Sequence, residues 1–210
     1  ASLELIPVER VMFAGEFRKV QKENLVKRVS PYLEAGYLGL DLSAMREDLE
    51  AEPWVYSIRV SRQWPRKLEI TVVEEQPIAR WNQNGLMNHK GELFSAENKI
   101  LGREYRDLPL LRGAAGTESL VVEQFWLMNQ QMADYDLSIA ELTFTPQREW
   151  RLELADGQLL VLPEKDYNAR LARFFQVYRQ NLHTSFSNVV QLDLRYQQGI
   201  AIEWRAENET

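Results

Sequence analysis

The stretch from Trp54 to Trp81, WVYSIRVSRQWPRKLEITVVEEQPIARW, constrains the rest of the chain more than any other. Val55, Ser57, Arg59, Ser61 and Gln63 alternate with Tyr56, Ile58, Val60 and Arg62. Leu68, Ile70 and Val72 resume the period of two beyond Trp64-Pro65-Arg66. Alternation on both sides of a short break predicts two strands joined by a tight turn. Pro65 fixes φ and cannot donate a ladder hydrogen bond, so the break falls between the strands. Pro77 interrupts the extended run after Glu74-Glu75-Gln76, and Ile78 to Trp81 resume a strand before Asn84-Gly85 turns the chain. One domain is therefore expected over residues 5–75, a second over 76–205, and a polar tail over 206–210.

With 210 residues, 45% of them hydrophobic, the chain can bury one large core or two smaller ones. Twenty-five Lys and Arg against 31 Asp and Glu leave a net charge of −6, which opposes nonspecific attraction to nucleic acid or anionic lipid. The absence of cysteine rules out disulfides, thiolate chemistry and cysteine-ligated metal. No apolar run reaches the length of a membrane-spanning helix, about 18 residues. The opening ASLELIPVERV also lacks the basic-then-apolar layout of a signal peptide. The chain as it stands is not expected to cross a membrane.

In chain order, Val8 to Ala14 predicts a first strand closed by Gly15. Leu25, Val26, Val29 and Leu33 give a helical face that Pro31 disturbs and that stops near Gly36. Leu42, Met45 and Leu49 mark a second helix, with Asp41 or Ser43 as its N-cap and Pro53 after its end. Strand, helix, helix, strand, strand is the resulting order, with both helices on one face of a three-stranded sheet. Beyond Pro77, short strands are expected at Ile78 to Trp81, Leu86 to Met87, Leu93 to Phe94 and Leu108 to Leu111. Helices are expected over Glu118 to Tyr135 and about Asp166 to Leu182. Three strands around Pro146-Gln147 and Asp156-Gly157 lie between the helices. A last pair, Val190 to Tyr196 and Ile200 to Trp204, is joined by Gln197-Gln198-Gly199. The fold class is α+β: a β-α-α-β-β domain, then a mostly antiparallel β domain that runs as a long meander interrupted by two helices.

Catalytic chemistry is hard to build from these residues. His89 and His183 are the only imidazoles, and neither has metal-ligand spacing around it. No nucleophile elbow or phosphate-binding glycine loop occurs. Glu74 and Glu75 are adjacent on a strand and point to opposite faces, while Glu149 and Glu153 share a face about 13 Å apart, too far for a glycosidase pair. Catalytic, cofactor and metal sites are expected to be absent. The tryptophans at 54, 64, 81, 126 and 150 read as core or boundary packing, whereas Trp204, in the last strand, is a candidate for a sheet edge.

The order β-α-α-β-β closed by this hairpin resembles a polypeptide-transport-associated (POTRA) domain. More narrowly, Pro53, Trp54, Val60, Trp64, Pro65, Leu68, Glu74, Pro77, Ala79 and Trp81 meet the pattern of the bacterial FtsQ (DivIB) cell-division family. Arg170-Leu171-Ala172-Arg173-Phe174 resembles it again, as does Asp193-Leu194-Arg195-Tyr196 followed by Gly199 and Trp204. The resemblance spans about residues 5 to 205. It implies a non-enzymatic scaffold of the divisome on the periplasmic side of the inner membrane at the septum, held by an anchor that this chain does not contain. FtsB and FtsL are the implied partners, and no nucleic acid is. The implied FtsB site is the terminal strand as an edge for a partner strand: Ile200, Ala201, Ile202 and Trp204, with Tyr196, Gln198 and Gly199 at the turn and Arg148 on a separate strand. A recruitment face in the POTRA domain is implied at Val60, Arg62, Trp64 and Glu74, around the hairpin turn, with Arg62 as a surface residue of little weight in stability. Two alternatives stay open: a POTRA-bearing component of a secretion or outer-membrane assembly system, and a cell-wall hydrolase.

Overall fold

The structure, a computed structural model, describes residues 6–83, 85–94 and 103–206. Asn84 of the predicted turn, residue 5 and residues 207–210 of the predicted tail lie outside them. The chain divides mainly between Gln76 and Pro77 into two compact units, with Phe94 grouped with the first.

The first unit runs β1 (Arg10–Gly15), α1 (Lys22–Leu33), α2 (Gly36–Gly39), α3 (Leu42–Glu50), β2 (Val55–Gln63) and β3 (Lys67–Glu74). Its sheet has the order β1-β3-β2, with β1 parallel and β2 antiparallel to β3. Leu68, Ile70 and Val72 of β3 are buried together with Leu25 and Val29 of α1 and Met45 and Leu49 of α3. Each such side chain contributes about 1.5–3 kcal/mol by leaving water. On β2 a register shift between Val55 and Ser57 breaks the alternation, which is why Val55 and Ile58, three residues apart, are both buried. Pro31 does not end α1. It lies in the last turn, where its missing N–H removes only one bond to the preceding turn, and the helix continues to Leu33. Asp41 is the N-cap of α3, accepting from the Ser43 and Ala44 amides at 3.1 and 3.0 Å. Gly15 has φ +132, and a Cβ there would stand 2.3 Å from the Val72 carbonyl oxygen, so only glycine lets β1 end against β3.

After Gln76 the chain runs β4 (Ala79–Trp81), β5 (Gly85–Met87), β6 (Leu93–Phe94), β7 (Leu110–Arg112), α4 (Glu118–Ala133), β8 (Ile139–Phe144), β9 (Glu149–Leu154), β10 (Leu159–Pro163), α5 (Tyr167–Val177), β11 (Val189–Asp193) and β12 (Ala201–Trp204). They form one sheet in the order β12-β11-β10-β9-β8-β7-β4-β5-β6. The expected meander needs correction. The sheet is mostly antiparallel, with β4–β5, β8–β9–β10 and β11–β12 as consecutive antiparallel neighbours, but β7 lies parallel to both β4 and β8, and β10 lies parallel to β11. Parallel neighbours need a long crossover, and α4 and α5 supply two of them, between β7 and β8 and between β10 and β11. Val121, Phe125, Met128 and Met132 of α4 and Leu171, Phe174 and Phe175 of α5 bury their apolar faces with Trp81, Leu142, Trp150, Leu152, Leu160, Leu162 and Leu192 of the strands.

Tryptophan packing divides evenly. Trp54, Trp81 and Trp150 are core residues, but Trp64 is 88% exposed at the β2–β3 turn, and Trp126 and Trp204 are each about half exposed.

Candidate functional site

One end of the nine-stranded sheet is β12, whose sequence neighbour β11 is its pairing partner, so among the described residues its other side has no strand. Two hydrogen bonds fix which residues face that free side. The Arg205 amide donates inward to the Asn188 carbonyl at 2.7 Å, so by alternation Glu203 and Ala201 also face β11. The Leu194 amide donates to Val161 of β10 at 2.8 Å, so Leu192 also turns toward β10 and forms the pair with Ile202 that lacks ladder bonds. Both arguments turn the N–H and C=O groups of Ile202 and Trp204 outward. Ile200 and Ile202 pack partly against the core, and Trp204 stands 49% exposed at the end of the strand. An edge with free backbone groups and an apolar margin can accept an extended segment.

The turn that precedes β12 is wider than Gln197-Gln198-Gly199. β11 ends at Asp193, and residues 194–200 form a loop. Two cations of α5 explain its shape. Arg173 donates to the carbonyls of Tyr196, Gln197 and Gly199 at 3.1, 2.5 and 3.4 Å, and Arg170 donates to Gln197 at 3.1 Å. At the loop's start, Arg195 bonds Asp193 through its amide and guanidinium and reaches Glu149 at 2.8 Å, which Arg151 also contacts. Glu149 and Asp193 are buried, so these partners are what make their charges tolerable. The two segments of the family pattern, 170–174 and 193–196, are thus one clasp. Tyr196 is left 58% exposed, beside a shallow cavity of about 540 Å³ lined by residues 196–201.

The base of the clasp is expected to respond to pH. Hydrogen bonding to Arg195 holds the Asp193 carboxyl below its ordinary value of 3.8, against the opposing effect of burial. A depressed folded value means stability that is present above the unfolded value and lost as pH falls through the folded one. As pH falls below the ordinary carboxylate range, through the depressed Asp193 value, the Arg195 amide resonance is expected to shift and the loop to loosen, which a titration followed by amide NMR reads. Asp193→Asn removes that titration step.

Several predicted residues sit elsewhere than expected. Arg148 is not on a strand; it occupies the β8–β9 turn at φ +60, because the chain must reverse there. Its guanidinium is already bidentate on Glu164 of the same chain. Gly199 has no atom within 4 Å of where a Cβ would stand, and Gln198 and Ala201 are exposed. Ile200 precedes β12 rather than lying in it.

In the first unit the four recruitment residues do not form one face. Trp64 is at the turn, but Glu74 pairs with Val55 at the opposite end of the hairpin, where its Oε1 accepts the Lys19 and Val20 amides at 2.9 and 2.7 Å. Val60 and Arg62 lie opposite Ile70 and Leu68, on the side of the sheet that the helices cover. Arg62 is also no idle surface residue, since it donates to the Tyr37 and Leu40 carbonyls at 3.1 and 2.7 Å and ties α2 to β2. Arg62→Ala is therefore expected to cost about 1–2 kcal/mol, measured by urea unfolding, rather than nothing.

Arg170, Arg173, Asp193 and Arg195 were not among the predicted site residues. Two cations at i, i+3 beside the apolar face of α5 were the available signal.

Among the described residues no group of His, Cys, Asp and Glu could hold a metal ion, and no helix is long and apolar enough to cross a membrane. The family model for the POTRA domain, FtsQ-type, matches residues 6–75, and that for the cell division protein FtsQ/DivIB, C-terminal, matches 79–195. This pairing defines a POTRA-bearing component of the bacterial cell-division machinery. Cell division protein FtsQ of Hahella chejuensis is 31% identical over 201 residues, covering 96% of this chain and 71% of that protein. FtsQ of Shewanella oneidensis is 31% identical over 95% of this chain and 74% of its own length, and that of Escherichia coli is 29% identical over 95% and 73%. The chain belongs to the FtsQ/DivIB family.

Proposed function

We propose that this chain is a non-enzymatic scaffold of the divisome that binds FtsB, and with it FtsL, through the free edge of β12. It works at the septum on the periplasmic side of the inner membrane, tethered by an anchor outside this chain. The observation that carries the reading is the open β12 edge, with Ile202 and Trp204 turning backbone groups outward beside a clasped loop. Four outward groups allow up to four backbone bonds, at a net 0.5–1.5 kcal/mol each, so the ladder contributes a few kcal/mol and side chains must supply the rest. Tyr196, Ile200, Ile202 and Trp204 offer apolar contact, Gln198, Gly199 and Ala201 leave room for close approach, and Arg148 reaches a partner carboxylate only by sharing or leaving Glu164. In the first unit, recruitment of a further septal protein rests on Trp64, the most exposed aromatic among the described residues, at the turn that follows the edge strand β2.

Titrating the chain with a soluble FtsB segment, alone and joined to FtsL, tests the reading. Saturable binding that Trp204→Ala weakens about tenfold, or about 1.4 kcal/mol, is expected. Binding that ignores Trp204 and Tyr196 together contradicts it.

A further inference from the structure

Outside the edge, a second place gathers unused polar groups. A cavity of about 570 Å³ is lined by Tyr135, Asp136, Asp156, Gln158, Tyr178 and His183, among others. Its shape comes from the end of α5, where the helix widens: the His183 amide donates to the Tyr178 carbonyl at 3.0 Å, five residues back. Such widened turns are uncommon and recur at functional sites. Asp136, at φ +57 after α4, and Asp156, in the β9–β10 turn, bring carboxylates to the rim. Among the described residues neither has a hydrogen bond or ion pair to its side chain. Gln158 is only 2% exposed; its amide donates to the Phe186 carbonyl at 3.2 Å, while its Oε1 has no partner. A buried acceptor without a donor costs free energy unless a ligand or water supplies one. Tyr135 is stacked on Phe175 at 4.2 Å and meets Tyr178 edge-on at 6.2 Å, so the wall is aromatic. Burial and then the nearby charges of Asp136 and Asp156 raise the Tyr178 pKa, keeping its hydroxyl neutral.

Two unpaired carboxylates, an unpartnered carbonyl and aromatic rings all favour a cation that carries several N–H donors. Arg205 and His183 are the basic side chains in the lining, and among the described residues Arg205 forms no ion pair with either carboxylate. The volume is ample for one long side chain or a small amine. We propose that this cavity is a binding site for a guanidinium or ammonium group, independent of whether β12 takes a strand. Arg205 follows β12 directly, so an Arg or Lys of a segment lying along that edge is one source of the cation; a free polyamine or amino compound is the other.

Amide NMR of the chain titrated with arginine amide, at matched ionic strength against sodium chloride, tests this. Shifts centred on Tyr135, Asp136, Asp156, Gln158 and His183 are expected, with affinity falling about tenfold in Asp136→Asn/Asp156→Asn. That double variant replaces exposed side chains and keeps the fold, which its spectrum verifies. Shifts that are absent, scattered over the surface, or unchanged in the double variant overturn the site. Displacement of arginine amide by the FtsB segment assigns the cation to the partner, and retention assigns it to a free amine; either result supports the site.

Discussion

Proline at position 202 is expected to leave the second unit folded and to abolish docking at its edge. The Ile202 amide faces away from β11, so Ile202→Pro takes no bond from the existing ladder, and an edge strand tolerates the ring. The cost to the free chain is some packing of a half-buried side chain, about 1 kcal/mol. For an incoming strand the loss is larger. One donor disappears, and the ring occupies the space where the partner backbone must approach, so affinity is expected to fall tenfold or more. Ala201→Pro is the informative contrast. Its amide faces β11 opposite Asp193, so it weakens the β11–β12 pair in the free chain and lowers stability as well as binding. Binding by calorimetry and stability by urea unfolding, measured on both variants, separate the two cases; equal behaviour of the two contradicts the assigned alternation.

Phe174→Ala is expected to cost the most in stability, about 3–5 kcal/mol by the usual price of removing a buried phenylalanine. Phe174 is fully buried, and its ring meets Phe175 at 5.3 Å, Tyr178 at 5.7 Å and Phe186 at 6.1 Å, so the hole cannot close by moving one neighbour. The effect reaches the edge as well, because Phe174 is adjacent to Arg173 on α5 and seats the helix whose cations hold the loop carbonyls. A variant that is destabilised in urea and binds FtsB more weakly at temperatures where it is still folded is the expected outcome. Arg173→Ala, which removes the clasp without opening the core, is expected to lower binding with a smaller loss of stability.

The sequence resolves local pattern well. The alternation from Ser57 to Val72 specifies the hairpin, and the spacing of Leu42, Met45 and Leu49 after Asp41 specifies a capped helix, because period and cap are encoded within a few residues. Sheet order is not local. That β7 inserts between β4 and β8 depends on pairings across tens of residues, and no short pattern carries it. The same divide separates the site residues. Trp204 stands out as an edge aromatic from its place in the last strand. The engagement of Arg62 with α2, of Glu74 with the Lys19 and Val20 amides and of Arg148 with Glu164 arises only when distant segments meet. A charged residue that looks free in a sequence is often already employed by the fold.

The most direct test of the docking edge is residue-resolved amide hydrogen exchange on β12, with and without FtsB. In the free chain the Ala201, Glu203 and Arg205 amides are expected to exchange slowly, and those of Ile202 and Trp204 fast, following the inward and outward alternation. Saturating FtsB is expected to slow Ile202 and Trp204 selectively. Complex formation that leaves both amides in fast exchange would contradict strand addition at this edge.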